Sequence, residues 1–223
     1  MELRQHNFLY LLLGLLFLLV AMPLIRDISG ARYPVISELA FAVFLIIGIW
    51  SLQGSRRWFL TAILLVALGV GGNILALSGA GIAFIYLSLA GYFIFMMLTI
   101  SIAIRQVFHY GTANINNIMG AVCIYLLLGV IWSLFYVFLN LLIPGSFSGQ
   151  ISGTAFNQLQ DFMYYSFVTL TTLGYGEIVP VRAAARALAT LEAIVGQFYI
   201  AILVAGLVAA YMTRTQQTTN GES

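Results

Sequence analysis

Long apolar runs separated by short polar breaks dominate the chain. Residues 7–25 carry no charge, and residues 34–53 carry only Glu38. After Arg56 and Arg57 no charge follows until Arg105, a stretch interrupted by Ser78-Gly79-Ala80-Gly81. A helix crosses a bilayer core in about 20 apolar residues, and a Ser/Gly cluster reads as a turn. The stretch therefore divides into spans at 58–77 and 82–104. A fifth run covers 118–143 and stops at Pro144-Gly145, and a sixth covers 182–211. The pattern predicts an all-α membrane protein with six transmembrane helices. Between the last two spans, 147–180 begins polar, and 156–170 is then mostly apolar and aromatic. That segment is too short to cross. It predicts a re-entrant element enclosed by protein, the setting in which irregular backbone is tolerated at membrane depth.

Composition removes the soluble alternatives. Of the 223 residues 62% are apolar and 7% charged, against roughly a quarter charged in a soluble domain. The mean hydropathy is +1.03. Nine arginines, no lysine and seven acids leave a net charge of +2 and no basic face for nucleic acid. Single Cys123 makes no intrachain disulfide. Arg4 before the first run suggests a signal peptide, but the run is long and ends without a small-residue cleavage pattern. With both termini inside, five arginines are cytoplasmic and four lie outside, a lean towards the positive-inside rule. No metal-spaced His or Cys cluster, phosphate loop or paired nucleophile and base is visible, so no enzyme is expected and no organic cofactor.

The informative stretch is 169–180, Thr-Leu-Thr-Thr-Leu-Gly-Tyr-Gly-Glu-Ile-Val-Pro. Glycines on both sides of Tyr175 open backbone conformations closed to residues with a Cβ. Such a strand turns successive carbonyl oxygens to one side, with Leu173 and Tyr175 pointing away into supporting protein. The Thr172 hydroxyl adds an oxygen at the inner end. Hard cations prefer oxygen ligands, and a neutral cage lets a monovalent ion leave again.

At these residues the chain resembles the potassium channel family, whose signature is Thr-x-x-Thr-Val-Gly-Tyr-Gly-Asp. Leu173 stands for the valine and Glu177 for the aspartate. The resemblance takes in a pore helix (157–171), the Pro180 turn and the last span. It implies potassium sites at the carbonyls of Thr172, Leu173, Gly174 and Tyr175, with Gly176 completing the filter and Glu177 at the outer mouth. It also implies a homotetramer with fourfold symmetry, since four loops surround one ion. Tyr164 and Tyr165 occupy the places of two bracing tryptophans, with hydroxyls aimed at Tyr175 or Glu177. Val168 replaces a glutamate that pairs with the mouth acid in some bacterial members. Gly196 falls at the hinge of the inner helix, although a small residue also serves close packing. With that hinge, Gln197, Ile200, Val204 and Val208 form one stripe facing the conduction path, and Val204 and Val208 form an apolar gate. Gly206 offers a second flexible point. Glu192, one turn before Gly196, is read as a structural or gating acid. Arg186 is expected to pair with a neighbouring acid.

The expected division is a four-helix transmembrane domain at 1–105, a linker at 106–117, a pore domain at 118–213 and a short cytoplasmic tail at 214–223. The first domain resembles a voltage sensor, giving the whole a tetrameric voltage-gated-like cation channel fold. A voltage sensor needs about three or four charges within its fourth helix, and 82–104 contains none. Gly69, Gly71, Gly72 and Asn73 are read as close packing in the third span. The tail is too short for a regulatory domain, and His109 in the linker is read as inert. The function expected is passive, potassium-selective conduction across a prokaryotic plasma membrane, without voltage gating, in contact with lipid and with no nucleic acid. The alternatives are a weakly selective cation channel on the same fold, a secondary potassium transporter and a non-conducting scaffold.

Overall fold

A computed structural model describes residues 7–29, 41, 43–48, 56–79, 81–109, 115–153 and 155–220. The elements are α1 (Asn7–Leu16), a π-helical turn (Phe17–Ala21), α2 (Met22–Ser29), α3 (Arg56–Leu77), α4 (Ile82–His109) and α5 (Ile115–Leu142). They continue with β1 (Phe147–Gly149), α6 (Ala155–Leu170), β2 (Ile178–Pro180) and α7 (Ala183–Asn220). Five helices among the described residues are long and apolar enough to cross a membrane: Phe8–Arg26, Phe59–Ala76, Ile82–Val107, Asn116–Leu142 and Ala183–Gly206. The second expected span, with Glu38, lies mainly outside the described residues. Within it, 41 and 43–48 are helical, and Phe41, Phe44 and Leu45 are buried.

Helix lengths differ from expectation at two places. α4 runs on to His109 and α5 begins at Ile115, so much of the expected linker at 106–117 is helical. α7 continues to Asn220, through most of the expected tail. No Gly or Pro interrupts either extension, and Gly221 follows directly on α7.

Small residues set the packing of α3 on α4. A Cβ on Gly69 would come within 2.3 Å of the Tyr92 ring, and one on Gly91 within 3.1 Å of the Gly69 nitrogen. The Ser88 hydroxyl donates to the Gly69 carbonyl at 2.7 Å. This close approach is the packing use of glycine in membrane helices, although nothing would meet a Cβ on Gly71 within 4 Å. α4 in turn packs along α5, with Phe93 edge-on to Phe135 and Tyr86 to Phe138. α1 lies on α5 as well, where Phe8 meets the bare backbone of Gly120. Both α1 and α4 therefore rest on α5 of their own chain.

α6 is the half-length element. It is held between α5 and α7, with Tyr136, Phe147, Phe162 and Tyr165 in edge-to-face or tilted contact around its middle. α7 is the least covered helix of this part, with Phe198 65% and Ile202 63% exposed in the single chain.

Candidate functional site

The site begins where α6 stops. Its last turn closes with Leu173 N–H donating to the Val168 carbonyl and Thr172 N–H donating to the Thr169 carbonyl, both at 2.9 Å. This pair of bonds is a Schellman cap, in which the residue after the helix adopts a left-handed conformation and is usually glycine. Here it is Thr172, with φ of 59°, and it is the single non-glycine at positive φ among the described residues. An L-residue in that region costs about 1–2 kcal/mol. Backbone strain of this kind gathers at working sites. Gly174 (64°) and Gly176 (82°) repeat the sign, while Leu173 and Tyr175 do not. Alternating signs of φ along a strand turn its peptide oxygens to a common side, which converts a Thr-Leu-Gly-Tyr-Gly run into a row of acceptors.

The two ends of this strand are fixed separately. At its C-terminal end β2 pairs antiparallel with β1, Phe147 opposite Pro180 and Gly149 opposite Ile178. Gly149 lies so near the Glu177 carbonyl that a Cβ would sit 2.1 Å from it. Val181 N–H donates to the Ser146 carbonyl at 2.9 Å. At its N-terminal end the negative pole of α6 points at the strand, a favourable field for a cation. Gln197 of α7 donates to the Thr172 hydroxyl oxygen at 3.4 Å.

The two expected braces part company. The Tyr164 hydroxyl donates to Glu177 Oε2 at 2.6 Å, and that bond, with some desolvation, pushes the phenol up to about 12. Tyr165 does not reach Tyr175 or Glu177. It is buried among Tyr136, Phe147 and Phe162. Consecutive helical positions differ by about 100° in direction, so only one of the pair faces Glu177. Leu173 and Tyr175 are 55% and 64% exposed in this chain, so the supporting protein expected behind them is not supplied by the chain itself. Val168 is buried.

On α7, Glu192 is fully buried and bonds the Tyr136 hydroxyl of α5 and the Ser166 hydroxyl of α6. Gly196 presses against the end of α6: an added Cβ would lie 2.4 Å from the Leu170 carbonyl oxygen. The helix is continuous through this point. Val204 is exposed, and the side chain of Val208 lies outside the described residues. Arg186 corrects an expectation. Its Nε donates to the Pro180 carbonyl at 3.2 Å rather than to an acid, because the β2 turn places a carbonyl within its reach.

One ion pair was missed by sequence reasoning. Arg26, at the C-terminal end of the first span, meets Asp161 of α6 at 2.7 Å and also bonds the Ser152 hydroxyl. Asp161 further accepts from the Ser152 N–H at 2.7 Å. Asp161 is the lone acid of α6. In a chain this poor in charge, that was a usable signal for a partner.

A short helix ending in a strained, oxygen-bearing strand, set between two full spans, is the build of an ion channel pore loop. Residues 120–213 match the family described as ion channel. Two potassium channels of Oryza sativa subsp. japonica are similar in sequence. Two pore potassium channel a is 34% identical over 94 residues, 42% of this chain and 24% of its own length. Two pore potassium channel c is 34% identical over 66 residues, 30% of this chain and 14% of its own. The matched region thus spans about a quarter or less of these relatives. No solved structure matches the chain. The chain is thus similar to ion channels over residues 120–213, and it carries five helices long and apolar enough to cross a membrane.

Proposed function

We propose that four copies of this chain form a potassium-selective channel in which each contributes one filter strand. Potassium, the transported substrate, passes down its electrochemical gradient from carbonyl to carbonyl. The sites are the carbonyl oxygens of Thr172, Leu173, Gly174 and Tyr175, with the Thr172 hydroxyl at the inner end. Gly176 turns the chain outward, and Glu177, braced by Tyr164, stands at the mouth. The observation that carries this reading is the alternation of φ at Thr172, Gly174 and Gly176, maintained at a strained threonine. A loop that served only as a turn has no reason to hold a hydroxyl-bearing residue there.

The remaining parts of the reading follow from the same layout. The exposed side chains of Leu173 and Tyr175, and the uncovered face of α7, are surfaces for neighbouring subunits. The stripe of Gln197, Ile200, Val204 and Val208 lines the inner pathway, with Val204 and Val208 as its apolar gate and Gly196 as a bending point. α4 has no arginine before Arg105, so the channel opens without a voltage sensor. We place it in a prokaryotic plasma membrane with both termini inside.

Reconstitution tests the proposal directly. Purified protein in liposomes should take up rubidium and show a reversal potential that follows potassium over sodium. Its native mass should be four protomers. Near-equal permeability to sodium would replace selectivity with weakly selective cation conduction, and a single-protomer mass would remove the pore altogether.

A further inference from the structure

Ser166 lies at a junction where hydrogen-bonding protons can be counted. Its hydroxyl oxygen is 2.8 Å from the Gly129 carbonyl oxygen of α5 and also bonds Glu192 Oε1 of α7. A hydroxyl has one proton to donate. If that proton serves only one of the two oxygens, the other contact sets lone pairs against each other at hydrogen-bond distance. The Gly129 carbonyl has no proton to bring, whereas a carboxylic acid does. The second oxygen of Glu192 already accepts from the Tyr136 hydroxyl. Every contact is served by one assignment. Tyr136 O–H donates to Glu192 Oε2, Glu192 Oε1–H donates to Ser166 Oγ, and Ser166 O–H donates to the Gly129 carbonyl.

Burial points the same way. Glu192 is 0% exposed. From α5 the Tyr136 phenol bonds it, and the phenols of Tyr125 on α5 and Tyr165 on α6 lie near enough to interact with its charge. Among the described residues no arginine forms an ion pair with Glu192. An ionised carboxylate sealed from water without a cation is costly. The acid form removes that cost and completes the bonding.

We propose that Glu192 is a neutral carboxylic acid whose proton ties α5, α6 and α7 together, making it a positioning residue for the strand that follows α6. Its consequence for conduction rests on the channel reading above; the protonation state does not. Loss of the proton leaves Ser166 able to serve either Gly129 or Glu192 but not both, so α6 is released from one neighbour. Ser166 is six residues before Thr172, and that release loosens the base of the filter.

The test is infrared difference spectroscopy on the full-length protein in lipid, wild type against Glu192→Gln, in water and in deuterium oxide at neutral pH. A carboxylic acid C=O band should be present in the wild type, shift in deuterium oxide and vanish in the variant. Loss of carboxylate bands instead would overturn the assignment. The amide of Glu192→Gln keeps one donor and one acceptor in place. Its rubidium uptake and thermal survival should remain within about twofold of wild type, while Glu192→Leu loses both. Equal behaviour of the Gln and Leu variants would remove the positioning role. If Glu192→Leu does not fold, Ser166→Ala supplies the reading, since loss of its acceptor oxygen must move the acid band. An unmoved band counts against the bond. Wild-type flux should also fall at alkaline pH in a step absent from Glu192→Gln. A wild type that shows the acid band but passes no rubidium would end the channel reading and leave the acid assignment standing.

Discussion

Replacing Gly196 with alanine puts a methyl group against the carbonyl that ends α6. The added Cβ would stand 2.4 Å from the Leu170 oxygen, where ordinary contact begins near 3.4 Å, so the two helices must part by about 1 Å (3.4 − 2.4). The obstacle is backbone, and no rotamer change relieves it. Overpacking of this kind costs about 1–3 kcal/mol, and the better helix propensity of alanine returns about 1 kcal/mol. The net expectation is a loss of up to about 2 kcal/mol per subunit. The displacement falls two residues before Thr172 and is passed to its oxygens through the Schellman cap. Gly196→Ala should therefore lower both the thermal survival of the assembled protein and its rubidium uptake. Gly206→Ala is the control, because nothing within the subunit lies within 4 Å of its added Cβ. Pure hinge loss would alter gating yet leave thermal survival intact. Wild-type survival together with wild-type flux in Gly196→Ala would refute the packing argument.

Further outcomes test other parts of the pore. Thr172→Gly relieves about 1–2 kcal/mol of left-handed strain and adds about 0.5–1 kcal/mol of chain entropy cost. It should melt close to wild type while losing selectivity for potassium over sodium, as measured by reversal potential. Tyr164→Phe removes the brace on Glu177, and flux should decay faster during sustained uptake. Because the bond raises the phenol from 10 to about 12, the brace is complete below pH 10 and fails as pH rises towards 12. An alkaline step in thermal survival should follow that window and be absent from Tyr164→Phe. Arg26→Gln removes one partner of a pair that is 36% exposed on the arginine side and should cost no more than about 1 kcal/mol. Asp161→Ala also orphans the Ser152 N–H and should cost about 1–3 kcal/mol. Thermal melts of the two variants in one lipid would check that order.

Much of the architecture was legible in the chain because the bilayer imposes a length on any apolar helix that crosses it. Five spans stand near their expected places, and the Ser78–Gly81 break does separate α3 from α4. The strand at 172–176 proposed as a filter stood out in the sequence for a different reason. Its chemistry is backbone chemistry, written into a few adjacent residues where glycine permits what other residues do not. Helix ends were less legible, since Arg105 looked like a stop signal while nothing in the next residues breaks a helix.

Contacts between distant residues were not readable from the order of amino acids. Tyr164 and Tyr165 are adjacent and chemically identical, yet one bonds Glu177 and the other fills the aromatic cluster, because helical rotation sends them to different neighbours. Glu192 was conspicuous as a buried acid, but its partners lie 26 and 56 positions away. Arg26 and Asp161 are 135 residues apart. Gly196 stood out as a small residue in the last span, but the Leu170 carbonyl against it, 26 positions earlier, did not. Sequence alone determined the spans and the oxygen-bearing strand, which depend on local composition and the thickness of the membrane. The folded chain decided which polar groups meet, because hydrogen bonds and close contacts act over about 3 Å and only packing brings remote residues that near.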